Sequence, residues 1–213
     1  MLHVKKHSTL KKPLLIVFLV LLLDQALKFY IKLNMTIGQE ILITDWFIIH
    51  FTENNGMAFG FEFAGEWGKL ALSIFRILAV IAIFIYLVIL SRKKTRAGAI
   101  FGLSMIMAGA LGNIIDSAFY GLIFSASSYH TVATLLPEAG GYASFLHGKV
   151  VDMFYFPLLI LNQAEAPAWI PDFIFGNDGY FIFFRPVFNI ADAAITTGVL
   201  WLLLFERNFL KGH

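Results

Sequence analysis

The residues with the most chemical potential in this chain are carboxylates set in apolar runs. Asp24 lies inside the stretch Leu14–Leu33, with Lys28 four residues on, a spacing that places both side chains on one helix face. Asn113 and Asp116 lie three apart, as do Asn189 and Asp192, and each pair again shares a face. Asp152 interrupts the run Val150-Val151-Asp152-Met153-Phe154-Tyr155-Phe156. A carboxylate within a bilayer costs at least about 2.5–3.5 kcal/mol on insertion scales, so each such acid is a functional candidate by default. Two chemistries fit. Two carboxylates that share a proton can activate a water for hydrolysis. Alternatively, Asp24, Asp116 and Asp192 could form the relay of a small proton-coupled transporter. Asp24 and Lys28 read either as part of a site or as a compensated ion pair, with the lysine free to snorkel outward. Hydrogen bonding across a helix bundle is the cheapest way to satisfy the other acids.

Other chemistries lack their residues. There is no cysteine, which removes thiolate nucleophiles, thiolate metal sites and iron–sulfur clusters. The six histidines show no H-E-x-x-H spacing, and no G-x-S-x-G occurs. No metal or other cofactor is expected, and no nucleic-acid partner. A non-catalytic scaffold would leave the intramembrane acids unexplained.

The elements that must position these acids are membrane spans. Of 213 residues, 59% are hydrophobic and only 14% charged, with a net charge of +2, and the mean hydropathy is +0.76. A soluble surface needs far more charge, and disorder needs far less apolar content. Four stretches have the roughly 20 apolar residues that a bilayer crossing takes: about 14–33, 70–90, 97–119 and 186–205. The first resembles a secretory leader, but Asp24-Gln25-Ala26-Leu27-Lys28-Phe29 offers no small-x-small cleavage site, so it reads as a span. The third is rich in Gly, Ala and Ser, which suits the middle of a bundle. Pro186 suits the first turn of the fourth. Lys5, Lys6, Lys11 and Lys12, the link Arg92-Lys93-Lys94-Thr95-Arg96, and the tail with Arg207 and Lys211 are basic. By the positive-inside rule these face the cytoplasm, leaving loops 34–69 and 120–185 outside. The expected fold is therefore an all-α membrane protein: a single membrane domain over 1–213, a four-transmembrane-helix bundle with both termini cytoplasmic and β-rich extracytoplasmic loops. Ile41–Phe51 has strand composition, Gly56 and Gly60 suit tight backbone positions, and Val150–Phe156 reads as a strand or a re-entrant segment. Phe173–Phe184, with Gly176-Asn177-Asp178-Gly179 at its centre, reads as an aromatic hairpin dipping into lipid headgroups.

The ordered motifs separate the two chemistries. Asp24-Gln25-x-x-Lys28, Asn54-x-Gly56-x-Ala58-Phe59-Gly60, Gly112-Asn113-x-x-Asp116, Val150-Val151-Asp152 and Phe188-Asn189-x-Ala191-Asp192-x-x-Ile195 follow one another along the chain. Each is short, but five in order on four spans resemble the lipoprotein signal peptidases, the type II signal peptidases of bacteria. The resemblance implies an aspartic endopeptidase of the bacterial inner membrane, its active site facing outward. It implies cleavage of the signal peptide from prolipoproteins whose cysteine already carries a diacylglyceryl group. Asp152 and Asp192 match the family's catalytic pair. Asn54, Asn113 and Asn189 match positions that orient substrate or the catalytic acids. Asp24 and Lys28 match positions that support the site, Gly56 belongs to the second motif, and Asp116 matches a position that holds fold and site. The acidic loop 34–69 would then form a lid or platform for the substrate. The implied partners are lipidated prolipoproteins and membrane lipids, and nothing demands more than a monomer.

Two features depart from the family pattern. Ser117 stands where Arg usually follows the G-N-x-x-D motif, with Lys149 or Arg185 as candidate replacements. The segments Ser125–Gly148 and Asn162–Phe184 lengthen the second outer loop. Outer loops tolerate insertion, so these read first as decoration, and otherwise as a second cap over the site or a contact with another envelope protein.

Overall fold

A computed structural model describes residues 10–55, 65–93, 96–167 and 169–210. Gly56, Gly60 and Glu62, like Lys5, Lys6, Lys94 and Lys211 of the basic segments, lie outside the described residues. Four principal helices run in order: α1 (Lys11–Asn34), α2 (Gly65–Arg92), α3 (Ala97–Ile115) and α4 (Ile190–Phe205). The first three, with α3 continuing to Ile123, are long and apolar enough to cross a membrane, and the fourth is a shorter apolar helix of 16 residues.

The bundle is apolar outside, and charged residues are buried within an otherwise apolar core. Leu14, Leu15, Phe18, Leu19, Leu22 and Leu23 of α1 are exposed, while Asp24, Lys28 and Lys32 are buried. Val17, Leu21, Asp24, Lys28 and Ile31 recur at spacings of four and three, one inward stripe of an α-helix. In water this arrangement would expose far more contiguous apolar surface than a monomer tolerates. In lipid it is the stable one, because helix association rests on close packing and interhelical polar bonds. The α3 helix packs against α1, α2 and α4, as its small residues suggested. Its tightest contact is with α4. A Cβ on Gly109 would sit 2.1 Å from the carbonyl oxygen of Ala191, a backbone atom that cannot swing aside. Gly109→Val should therefore push α4 away and cost at least tenfold in activity, with a lower melting temperature in detergent. Wild-type melting and activity would show that the helices can separate freely.

At one end of the bundle sits a three-stranded antiparallel sheet, β1 (Glu40–Thr44), β2 (Phe47–Asn54) and β3 (Val150–Tyr155), in the order β1-β2-β3. The expected strand at Ile41–Phe51 is thus two strands with a turn at Asp45-Trp46. Phe51, Val151 and Met153 bury one face of the sheet against Ile31, Met35, Tyr120 and Phe124. Period-two alternation then turns Asp152, paired with Thr52, to the opposite face.

Two expectations need correction. Pro186 does not begin α4; Asn189 caps the helix and Ile190 is its first residue. The capping bonds of Asn189 are worth about 1 kcal/mol, and the preceding residue, Phe188, is held in an extended bridge to Phe154. Phe173–Phe184 is not a self-contained hairpin: its strand β5 (Tyr180–Phe183) pairs with β4 (Leu159–Asn162). The segment Ser125–Gly148 is hydrogen-bonded to the rest of the fold. Ser128 accepts a backbone bond from Ile37 at 2.9 Å, and Ser127 donates to Glu53 at 3.0 Å. Glu53 pairs with buried Lys32, whose ammonium lies 5.0 Å from the Tyr142 ring centre. This segment braces β2 where it meets the end of α1.

Candidate active site

Asp152 and Asp192 reach one place from different elements. Asp152 is carried by β3, and the backbone of Phe154 exchanges two hydrogen bonds with Phe188, at 2.8 and 3.0 Å. The next residue, Asn189, caps α4, and Asp192 lies in the first turn of that helix. The strand bearing one acid is thus clipped to the start of the helix bearing the other. Asp192 is the third residue of α4, because the helix starts at Ile190 rather than at Pro186.

Three asparagines hold the acids, and two of them, Asn189 and Asn113, link one to the other. Asn189 Nδ2 donates to Asp152 Oδ1 at 2.6 Å and to Asn113 Oδ1 at 3.2 Å. Asn113 Nδ2 donates to Asp192 Oδ1 at 2.8 Å. Asn54 Nδ2 donates to the other oxygen of Asp152. Asn189 and Asp192 also form a reciprocal capping box: the Asp192 backbone N–H donates to Asn189 Oδ1 at 2.9 Å, and the Asn189 N–H to Asp192 Oδ2 at 3.3 Å. Amides suit this task because they orient carboxylates without neutralising them. Asp152 is 2% exposed. Burial, and then the neighbouring negative charge of Asp192, push its carboxyl up to about 8. At neutral pH this acid holds a proton.

Beneath the asparagines lies a charge cluster. Lys28 Nζ sits 2.9 Å from Asp24 and 2.8 Å from Asp116, and donates to Asn113 Oδ1 at 3.0 Å. It is fully buried, so it does not snorkel; it is a compensated pair extended to a third residue. Asp24 Oδ1 accepts the Ala191 N–H at 2.9 Å, satisfying an orphan donor in the first turn of α4. Asp116 Oδ2 accepts from the Val151 N–H at 3.3 Å, directly beside Asp152. Asp116 opens a π-helical turn, Asp116–Tyr120, whose Ser117 carbonyl receives the Gly148 N–H at 2.8 Å. The cation serving Asp116 is Lys28. Neither candidate replacement for the missing Arg reaches it, because Lys149 lies 3.8 Å from Glu53 and Arg185 2.6 Å from Asp178.

Every site residue expected within the described residues converges here: Asp24, Lys28, Asn54, Asn113, Asp116, Asp152, Asn189 and Asp192. Asp24 and Asp116 are both turned to one ammonium, which is a different arrangement from acids in file along a proton path. No group of three or more His, Cys, Asp or Glu with metal-binding geometry occurs among the described residues. Two participants were not foreseen. Gln25 donates to Asp116 at 2.9 Å and to Asp24 at 3.1 Å, and accepts from the Tyr120 hydroxyl at 3.1 Å. Arg76 of α2 interacts electrostatically with Asp192 and Asp152. Its signal was plain: it is the sole charged residue between positions 70 and 90.

Comparison with known proteins matches residues 16–207 to the family described as Signal peptidase (SPase) II. A lipoprotein signal peptidase of Porphyromonas gingivalis is 46% identical over 190 residues, covering 89% of this chain and 80% of that protein. Another, from Amoebophilus asiaticus, is 36% identical over 196 residues, covering 90% and 76%. A solved bacterial membrane enzyme shares the fold with a TM-score of 0.60 at 24% identity, over 98% of this chain and 93% of that one.

Proposed function

The chain belongs to the signal peptidase II family, whose members are aspartic peptidases, and we propose that it removes the signal peptide from diacylglyceryl-modified prolipoproteins by attack of a water activated between Asp152 and Asp192. The observation that supports this most strongly is the asparagine-linked approach of the two acids, one buried with its carboxyl pushed up to about 8, the other at a helix N-terminus.

In this reading Asp192 is the base. It lies at the positive end of the α4 dipole, where a negative charge is favoured. It takes a proton from water as the oxygen bonds to the scissile carbonyl carbon. Protonated Asp152 donates a hydrogen bond to the carbonyl oxygen and stabilises the charge that develops there. The proton collected by Asp192 then passes to the amide nitrogen as the C–N bond breaks, and the carboxyl pair returns to its starting charge. Asn54, Asn113 and Asn189 hold the carboxylates in register, while Lys28, Asp24 and Asp116 anchor β3 and α4 from below.

The site lies at the end of the bundle opposite Lys11, Lys12, Arg92, Arg96 and Arg207. With α4 counted as a fourth, shorter span, those cations face the cytoplasm and the dyad faces outward. A diacyl anchor is held in lipid by about 0.8 kcal/mol per buried CH₂, which presents the scissile bond at this depth. The protein would act as a monomer in the bacterial inner membrane.

The test is to reconstitute the purified protein in lipid and present a diacylglyceryl-modified precursor beside its unmodified form. Release of the signal peptide from the lipidated substrate is expected; release from neither would overturn the reading. Activity should also fall above about pH 8, as Asp152 gives up its proton, and fall again in acid as the base is protonated. A profile flat from about pH 5 to 10 would remove the shared-proton mechanism.

A further inference from the structure

We infer that Arg76 is the positioning cation of the aspartate pair, holding Asp152 and Asp192 in their singly ionised form from the α2 side. The inference rests on the catalytic reading given above.

Its first support is the placement of the helix. Lys69, Ser73, Arg76, Val80, Ile83, Leu87 and Leu90 follow one another at spacings of four and three, the inward stripe of α2. Lys69, Ser73, Val80, Leu87 and Leu90 are buried on it, and Ile83 packs against the core. Arg76 is half-buried on that same stripe. At the outer end of the stripe, Lys69 donates to Asn55 Oδ1 at 3.1 Å and to the His147 carbonyl at 2.7 Å. Asn55 adjoins Asn54, the donor to Asp152. Arg76 is therefore two turns along α2 from a point fixed beside the dyad, and its charge interacts first with Asp192 and then with Asp152.

The second support is the distribution of charge around the pair. From α1, the positive charge of Lys28 reaches Asp152, but its contacts are shared between Asp24 and Asp116. From β2, the groups near the pair are neutral Asn54 and Glu53, the latter paired with Lys32. From α3 and α4 come neutral Asn113 and Asn189. Lys69 is engaged at Asn55 and His147. Among the described residues, Arg76 is thus the α2 cation whose charge acts on the two acids. A guanidinium stays charged at all working pH values, so it favours one carboxylate of the pair as an anion while burial keeps the proton on the other. It also supplies a positive charge near the acids although Ser117 occupies the position where the family resemblance leads one to expect Arg.

The test reads the acid limb of the activity profile on the lipidated precursor. In Arg76→Gln the pair should take up its second proton more readily, moving the acid limb up by about one pH unit; Arg76→Lys, which keeps the charge, should leave it near the wild-type position. The chain contains no cysteine, so Arg76→Cys provides a unique thiol. Modification with an aminoethyl methanethiosulfonate should return the limb toward the wild-type pH, whereas the neutral methyl reagent should not. A purely structural role would lower the rate without moving the limb. An unmoved limb in Arg76→Gln, or identical limbs after the two reagents, overturns the inference. A wild-type protein that releases no peptide at any pH instead overturns the catalytic reading beneath it.

Discussion

Asp192→Asn and Asp152→Asn should each abolish signal-peptide release while the protein still accumulates in the membrane. The loss follows from the roles of the two carboxyls. An amide at position 192 cannot take a proton from water, and an amide at position 152 cannot carry the exchangeable proton of the pair, each a general acid–base contribution of about 10²–10⁴-fold. The fold should survive because each substituted amide keeps one acceptor oxygen for the donors around it, at the loss of one hydrogen bond. With Asp192→Asn, the one side-chain oxygen that remains can still receive the Asn113 donor, and Asn189 Oδ1 still caps the N–H of residue 192; the bond given up is the 3.3 Å one from the Asn189 N–H. Asp152→Asn has a second readout. The folded-state carboxyl is raised to about 8 from the ordinary 3.8. The folded protein therefore binds more protons than the unfolded chain between those values. The contribution of this group to stability is fully present below about pH 4 and lost as pH rises toward 8. The substituted amide resembles the protonated acid and removes that loss. The melting temperature of Asp152→Asn should then exceed that of wild type by more at about pH 8 than at about pH 5. Full activity in either variant would exclude the pair as the catalytic groups. Parallel melting curves at the two pH values would show that Asp152 is not protonated in the fold.

Much of this site was legible in the sequence because membranes make polarity informative. An acid in a soluble protein is commonplace, but Asp24, Asp116 and Asp192 each stand in a run that lipid would otherwise accept. Helical spacing then put Asn113 on one face with Asp116, and Asn189 three residues before Asp192, the second pair closing the capping box of α4. What the sequence could not show is the partner across elements. Lys28 was visible beside Asp24 at i+4, but its second acid, Asp116, comes from another helix. Arg76 was visible as a charge in an apolar stretch, but which face of α2 turns inward depends on packing against α3. The start of α4 was misplaced because a proline is a strong local cue, whereas the capping box of Asn189 needs Asp192 to count as the third helical residue. The strand pairing of Leu159–Asn162 with Tyr180–Phe183 is a contact over a long connection, which composition cannot announce.

Lys28→Met should be the most damaging single change to the fold. The ammonium is 2.9 Å from Asp24 and 2.8 Å from Asp116, and all three side chains are almost wholly buried. Removing one partner of a buried pair costs about 3–5 kcal/mol, because the charge left behind has neither water nor a counterion. Here two carboxylates are stranded, so the protein should fail to accumulate or should melt well below wild type in detergent. The acids are also structural ligands: Asp24 caps the Ala191 N–H of α4, and Asp116 holds the Val151 N–H of β3. When they protonate to escape the uncompensated charge, both contacts weaken, and the elements bearing Asp152 and Asp192 drift apart. A compensated variant separates these effects. Lys28→Met combined with Asp24→Asn and Asp116→Asn has no buried ion left in the cluster, and amide oxygens remain to accept both backbone donors. It should recover much of the lost stability, since a buried ion pair replaced as a unit is often neutral or better. Melting temperatures of the single and triple variants decide the matter. A triple variant no more stable than Lys28→Met would mean that the cluster acts through packing rather than charge. A stable single variant would mean that the two aspartates never carried the charge that Lys28 is placed to balance.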